Sequence, residues 1–370
     1  MQGAQMQPNY HLISSDSHVN EPPDLWIDRV PAELRDRAPR MEHFEQGDAW
    51  VVEGVAGPMP FGLNACAGQD FRLRQAWVRF EDLRPGGYNP AARLAELDQA
   101  GVDAEVLYPT PRLMQSVYAT TDVELHVALV RAYNDWISDY ADHDLTRFRA
   151  LPVIPNRGID HALAEIERVG GRRSTGGFLI GAFSEGTLQP TAADDAVFAS
   201  LVERHLPLNI HVSLSTTMPG LVNTNPLPAA GRFNAATGHL IDFIFSGAFD
   251  RFPDLQVVFG EVDCGWVPYF KEQLDDGYQR YRHRLNLQLL PSEYVERHVH
   301  FGFVSDTYGI DNRHRIGVAR MLWSSDYPHG NSNWPNIWPP VQAAMTRVPN
   351  DERQLMLVGN SARLYGFGKA

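Results

Sequence analysis

Short, nearly continuous hydrophobic runs alternate along this chain with longer stretches whose apolar positions recur every three or four residues. The first pattern reads as a buried strand and the second as an amphipathic helix. Strand-like runs lie over 11–15, 102–108, 148–154, 176–181, 206–212, 252–260, 298–304 and 319–324. Between them the spacing predicts helices over 91–100, 121–141, 160–169, 192–204, 235–246 and 266–284. Gly101 stops the first of these helices, and Pro109 and Pro155 end the two strands that follow, each acting as a local breaker.

Eight strands alternating with helices imply βα units around a parallel sheet, because parallel neighbours need a crossover connection. The expected fold is therefore α/β, a (β/α)8 TIM barrel formed by residues 1–370 as a single domain. A doubly wound open sheet is the rival, but it calls for a glycine-rich phosphate loop after an early strand, and none is visible. Residues 23–90 break the alternation. They are rich in Pro, Gly, Arg and aromatic residues and read as an insertion over the barrel mouth or a small cap. A second polar stretch, 213–231, shows no periodicity.

Composition narrows the classes. With 44% hydrophobic and 21% charged residues over 370 positions, the chain reads as globular. No apolar run approaches the roughly 20 residues a membrane span needs, so no membrane is expected. The opening Met-Gln-Gly-Ala-Gln-Met lacks the basic and apolar regions of a signal peptide, and two cysteines, Cys66 and Cys264, make no disulfide framework. A cytoplasmic location is the expectation. A formal net charge of −13 argues against a nucleic-acid surface. Lys271 and Lys369 are the only lysines, the remaining cations being arginine.

In a βα barrel, reactive groups gather at the C-terminal ends of the strands. Asp16 and His18, two positions apart, share one face of an extended strand, and Glu21 follows as the chain turns into Pro22-Pro23. His211 ends the fifth strand, Glu261 follows Val-Val-Phe-Gly on the sixth, and Asp326 closes the eighth with His329 three residues later. Singly, each reads as a satisfied core histidine or a helix-capping carboxylate. As a set at successive strand ends, they read as ligands for a divalent cation.

Asp16-Ser-His18, His211, Phe249-Asp-Arg-Phe-Pro-Asp-Leu255 and Ser325-Asp-Tyr-Pro-His329 with Trp334-Pro335 together resemble the amidohydrolase-related TIM-barrel metalloenzymes. That group includes decarboxylases acting on aminocarboxymuconate semialdehyde and resorcylate. The resemblance implies that Asp16, His18, His211 and Asp326 bind a divalent metal. Two departures stand out: the chain has Asp16 where relatives carry a first histidine, and Glu261 where they place a histidine after strand six. The carboxylated lysine that bridges two metals in binuclear relatives has no counterpart, since neither lysine ends a strand.

If Asp16, Glu21, Glu261 and Asp326 all converge, four negative charges call for two divalent ions, with His18, His211 and His329 completing the shells. Other roles remain open: Glu21 as a loop cap, and Glu261 as a protonated group or general base. The start Ser-Asp-Ser-His-Val-Asn-Glu-Pro, the long insertion and Glu261 resemble a smaller branch, the TIM-barrel nonheme di-iron monooxygenases of diterpenoid biosynthesis. That likeness implies two Fe ions, O2 as cosubstrate, an external electron donor and a bulky small-molecule substrate carried as an acyl-coenzyme A, in a homo-oligomer. Glu261, His211 and Asp326 would be catalytic. Trp26, Trp50, Phe61, Phe71, Trp77, Phe80 and Tyr108 would line a dry pocket, unless they form the insertion's own core. Arg72, Arg74, Arg79 and Arg84, or Arg280, Arg282 and Arg284, would meet phosphates, unless they only solvate the surface. The alternative is a hydrolase or decarboxylase using one Zn or Mn.

Overall fold

The structure is a computed structural model that describes residues 10–219 and 232–368. Eleven strands are numbered in chain order. Three of them, β2 (Arg40–Phe44), β3 (Gly47–Val51) and β4 (Met59–Pro60), form a small antiparallel sheet inside the 23–90 insertion. The other eight are β1 (Ile13–His18), β5 (Ala104–Tyr108), β6 (Phe148–Ala150), β7 (Phe178–Leu179), β8 (Leu208–His211), β9 (Val257–Gly260), β10 (Val299–Phe303) and β11 (Met321–Trp323).

These eight pair in parallel and in sequence order, as β1-β5-β6 and β7-β8-β9-β10-β11. Isolated bridges from Ala150 to Thr175 and from Val153 to Leu179 join β6 to the edge of β7. At the other seam, the Asp326 N–H donates to the Asp16 carbonyl (3.1 Å) and the His18 N–H to the Tyr327 carbonyl (2.6 Å). The expected (β/α)8 barrel is the observed architecture. Its strands read as apolar runs because both of their faces are covered, as in β9, where Val257, Val258, Phe259 and Gly260 are all buried.

Local chemistry sets the helix ends. In Pro90–Ala100 the Asn89 side chain accepts from the Ala92 N–H, Pro90 occupies the first turn, and Gly101 closes the helix with φ 68°. In Val123–Asp142 the Asp122 carboxylate accepts from the Leu125 N–H. Helix Pro111–Ala119, directly after β5, was not signalled by the sequence pattern; at nine residues it is shorter than the window over which a helical repeat stands out. Among the described residues, no helix is long and apolar enough to cross a membrane. Most of the expected stretch 213–231 lies outside the described residues, as does Lys369.

Candidate metal centre

Three strand ends turn inward with unusual backbone. Val212, Glu261 and Asp326 all have positive φ (56°, 56° and 52°), a region that costs a non-glycine residue on the order of 1–3 kcal/mol. Each lies just past a barrel strand, where the turn aims a side chain into the mouth instead of continuing the pleat. On β1 the register against β5 shifts between Ser14 and Ser17, and Asp16 and His18 face the same interior. Gly260 makes room for Asp16: a Cβ there would lie 3.0 Å from Asp16 Oδ2.

The result is a close cluster. His18 Nε2 lies 3.2 Å from Asp16 Oδ1 and 3.5 Å from Asp326 Oδ1. His211 Nε2 lies 3.6 Å from Asp16 Oδ2 and 3.2 Å from Glu261 Oε2, and His329 Nδ1 lies 2.7 Å from Asp326 Oδ1. The His18 and His329 rings stack with centroids 3.8 Å apart. Two overlapping groups, Asp16 with His18 and His211, and His18 with Glu261, Asp326 and His329, each bring one donor atom per residue within 4.8 Å of one another.

Both oxygens of Asp16, both of Asp326 and Nε2 of His18 are buried without a hydrogen-bond partner. Dry carboxylates in this state are costly, and a divalent cation is the group their chemistry fits. The titration pattern points the same way. Burial, and then the neighbouring His329, hold His18 below its usual range. Burial also opposes charge on His211, yet the carboxylates of Asp16 and Glu261 outweigh it and push the imidazole up to about 9. Burial, reinforced by Glu261, raises the Asp326 carboxyl well above its ordinary value. Positive charge, as protons or as a metal ion, is what the cluster draws in. His18 is oriented from behind, with Nδ1 2.8 Å from the Pro109 carbonyl.

Six of the seven sequence-predicted residues, Asp16, His18, His211, Glu261, Asp326 and His329, are thus brought together. Glu21 stands apart from both groups. Its Oε1 accepts from the Thr110 N–H at 2.9 Å, and burial, partly offset by that hydrogen bond, raises its carboxyl to about 7.

The cluster opens into a cavity of about 620 Å3 lined by Tyr108, Met114, Tyr118, Leu179, Ile180 and Leu214 together with Glu261, Asp326 and His329 of the cluster. That volume suits a small molecule. Leu63, Asn64 and Arg74 of the insertion stand in its wall. The Gly330 N–H donates to the Leu63 carbonyl (2.8 Å), and the Ala67 N–H to that of Pro328 (2.9 Å). Of the aromatic residues expected to line a pocket, Tyr108 does so, Trp26, Trp50 and Phe61 are buried elsewhere, and Phe71 is 71% exposed. Of the arginines assigned to phosphates, Arg74 alone reaches this cavity; Arg79 pairs with Asp48 and Arg280 with Asp276. Lys271 pairs with Glu296, away from this cavity.

Comparison with known proteins agrees with this geometry. The amidohydrolase family model matches residues 16–367. A γ-resorcylate decarboxylase of Polaromonas sp. (strain JS666 / ATCC BAA-500) is 23% identical over 306 residues, spanning 75% of this chain and 87% of the relative. An amidohydrolase of Mycobacterium avium subsp. paratuberculosis K-10 superposes with TM-score 0.76 at 21% identity, covering 97% and 98% of the two chains. A 5-carboxyvanillate decarboxylase of Novosphingobium aromaticivorans DSM 12444, solved with manganese and 4-hydroxy-3-methoxy-5-nitrobenzoic acid, does so with TM-score 0.68 at 20% identity, covering 96% of each.

These findings overturn the di-iron monooxygenase expectation and what came with it: two Fe ions, O2, the acyl-coenzyme A substrate and the diterpenoid setting. The matched relatives are decarboxylases, and the solved neighbour holds manganese. The physical reason lies in Glu21. The two-ion charge count required four converging carboxylates, and the structure brings three into the cluster while Glu21 holds the Thr110 backbone. With the family model matched over nearly its whole length, the chain belongs to the amidohydrolase family.

Proposed function

We propose that this protein is a metal-dependent decarboxylase of a compact, hydroxylated aromatic carboxylic acid. Asp16, His18, His211 and Asp326 would hold one divalent ion, and Glu261 would handle the proton. The observation that carries this reading is the convergence of three carboxylates and three imidazoles, dry on one side and open on the other to a cavity of about 620 Å3. The decarboxylase relatives and the manganese of the solved neighbour support it.

Charge counting supplies the proton. Asp16, Glu261 and Asp326 carry three negative charges when ionised, and one divalent ion offsets two. The remaining charge, poorly solvated, retains a proton. Decarboxylation consumes one: the bond between ring carbon and carboxylate breaks, CO2 leaves, and a proton takes the electron pair left on carbon. Glu261 is placed for this. It lies in the cavity wall, its Oε2 3.2 Å from His211 Nε2, and its Oε1 accepts from Asn331 at 3.4 Å.

A bound divalent ion supplies Lewis acidity toward the substrate's oxygens. Met114, Leu179, Ile180 and Leu214 exclude water around the ring, which strengthens every charge interaction in the site. Arg74 presents a buried Nε without a hydrogen-bond partner, suited to an acid's oxygens. The insertion, 23–90, would then cover the single barrel unit and contribute to substrate recognition.

The test is CO2 release. Metal-stripped protein reconstituted with Mn2+ is assayed against a panel of hydroxybenzoates, with Asp326→Asn as control. Release with at least one hydroxybenzoate, lost in Asp326→Asn, is the expected result. Hydrolysis of esters, amides or lactones without CO2 release would overturn it in favour of a metal-dependent hydrolase.

A further inference from the structure

Behind the metal cluster, on the side away from the cavity, lies a second polar group that the reaction does not touch. Arg93, on helix Pro90–Ala100, is fully buried, and its Nε donates to Glu105 Oε2 at 2.7 Å. Glu105, on β5, is 1% exposed. Its other oxygen, Oε1, accepts from Ser17 Oγ at 2.9 Å. Arg93 Nη1 donates to the His18 carbonyl at 3.1 Å and to the Gly86 carbonyl at 3.2 Å. Its guanidinium also lies 4.3 Å over the Tyr327 ring.

These contacts fall on the immediate neighbours of proposed ligands. Ser17 sits between Asp16 and His18, and Tyr327 directly follows Asp326. Ser17 Oγ is also 2.9 Å from Ser325 Oγ, and the Ser325 N–H donates to Ser14 Oγ at 2.8 Å, so the network crosses the seam between β1 and β11. The strand alternates: Asp16 and His18 face the cluster while Ser17 faces the pair.

Stability does not call for such a pair. A buried ion pair is often matched or bettered by apolar residues of similar volume, because desolvation offsets its attraction. What the pair provides instead is direction, a rigid planar fork that holds two backbone segments at fixed positions. We infer that Arg93 and Glu105 are positioning residues that fix the Asp16–His18 and Asp326–Tyr327 segments in the geometry a divalent cation requires. This rests on the metal reading above.

The experiment titrates Mn2+ into metal-stripped protein by electron paramagnetic resonance, alongside thermal unfolding of the same metal-free samples. Arg93→Met combined with Glu105→Leu replaces the pair by apolar volume. It is expected to fold with little change in melting temperature while Mn2+ affinity falls about 10- to 100-fold, the range typical of lost outer-shell support. Ser17→Ala leaves the ion pair intact and removes one link, so it tests the idea even if the double variant fails to fold; its expected loss is about 10-fold. Unchanged Mn2+ affinity in Ser17→Ala, or in a folded double variant, overturns the positioning role alone. An unmodified protein that binds no Mn2+ overturns the metal reading on which it rests.

Discussion

Glu21→Gln separates two roles that the sequence left open for this residue. Glu21 is buried, Oε1 accepts from the Thr110 N–H, and its carboxyl is pushed from 4.5 to about 7 by burial. The folded state therefore keeps its proton to higher pH than the unfolded chain does. Stability contributed by the protonated form is complete below 4.5 and is lost as pH rises through 7. At 1.36 kcal/mol per pH unit, the loss between pH 4.5 and pH 8 is about 3 kcal/mol. An amide has the same shape, keeps the acceptor for Thr110 and never ionises. The variant should match the parent near pH 4.5 and exceed it by about 3 kcal/mol at pH 8. Urea unfolding of metal-stripped protein at the two pH values, compared by linear extrapolation, measures the difference. A variant less stable than its parent at pH 8, or one that has lost Mn2+ affinity, would refute the reasoning and return Glu21 to the ligand shell.

Three further outcomes are expected. Adding Mn2+ at 100 times its dissociation constant should stabilise the protein by about 2.7 kcal/mol, seen as a rise in melting temperature that a chelator reverses. His126 is buried, its Nδ1 2.9 Å from the Val117 carbonyl and its Nε2 accepting from the Asn156 N–H, and burial lowers it to about 4. Stability should therefore fall by up to about 3 kcal/mol as pH drops from 6.5 to 4, because only the unfolded chain takes the proton. His126→Gln should flatten that slope in pH-dependent urea unfolding. Arg74→Gln should raise KM for an acidic substrate about 10-fold with a smaller change in kcat, while binding of a neutral phenol, followed by calorimetry, stays the same.

The barrel was legible because parallel strands covered on both faces must be apolar, and Pro109 and Gly101 mark where β5 and the helix before it stop; Pro155 does not play that part, since β6 already ends at Ala150. The strand-end residues were legible for the same reason: a polar group directly after an apolar run has few purely structural uses. Convergence was not. Whether Glu21 joins Asp16 or turns to Thr110 depends on the path taken after β1, which spacing does not encode. The two-ion count inherited that uncertainty, and the di-iron reading with it. The small sheet of β2, β3 and β4 escaped notice because β2, Arg-Met-Glu-His-Phe, is polar and partly exposed instead of an apolar run, and β4 contains a proline. Arg93 and Glu105 were not singled out, because their pairing is set by a contact between elements that no periodicity reports.

The seam between β1 and β11 also bears on how the protein is made. Ser14 and Ser325, hydrogen-bonded across it, are 311 positions apart, and Asp16 and Asp326 lie just beside them. During synthesis at about 5–20 residues per second, the N-terminal strand leaves the ribosome well before its partner exists. Until the last strand is released and docks, Asp16 and His18 belong to an open sheet edge with half of the strand-end cluster. On the metal reading proposed above, ion capture would wait for that docking: nascent or truncated chains ending before residue 326 should remain unable to retain Mn2+, however well their earlier βα units have formed.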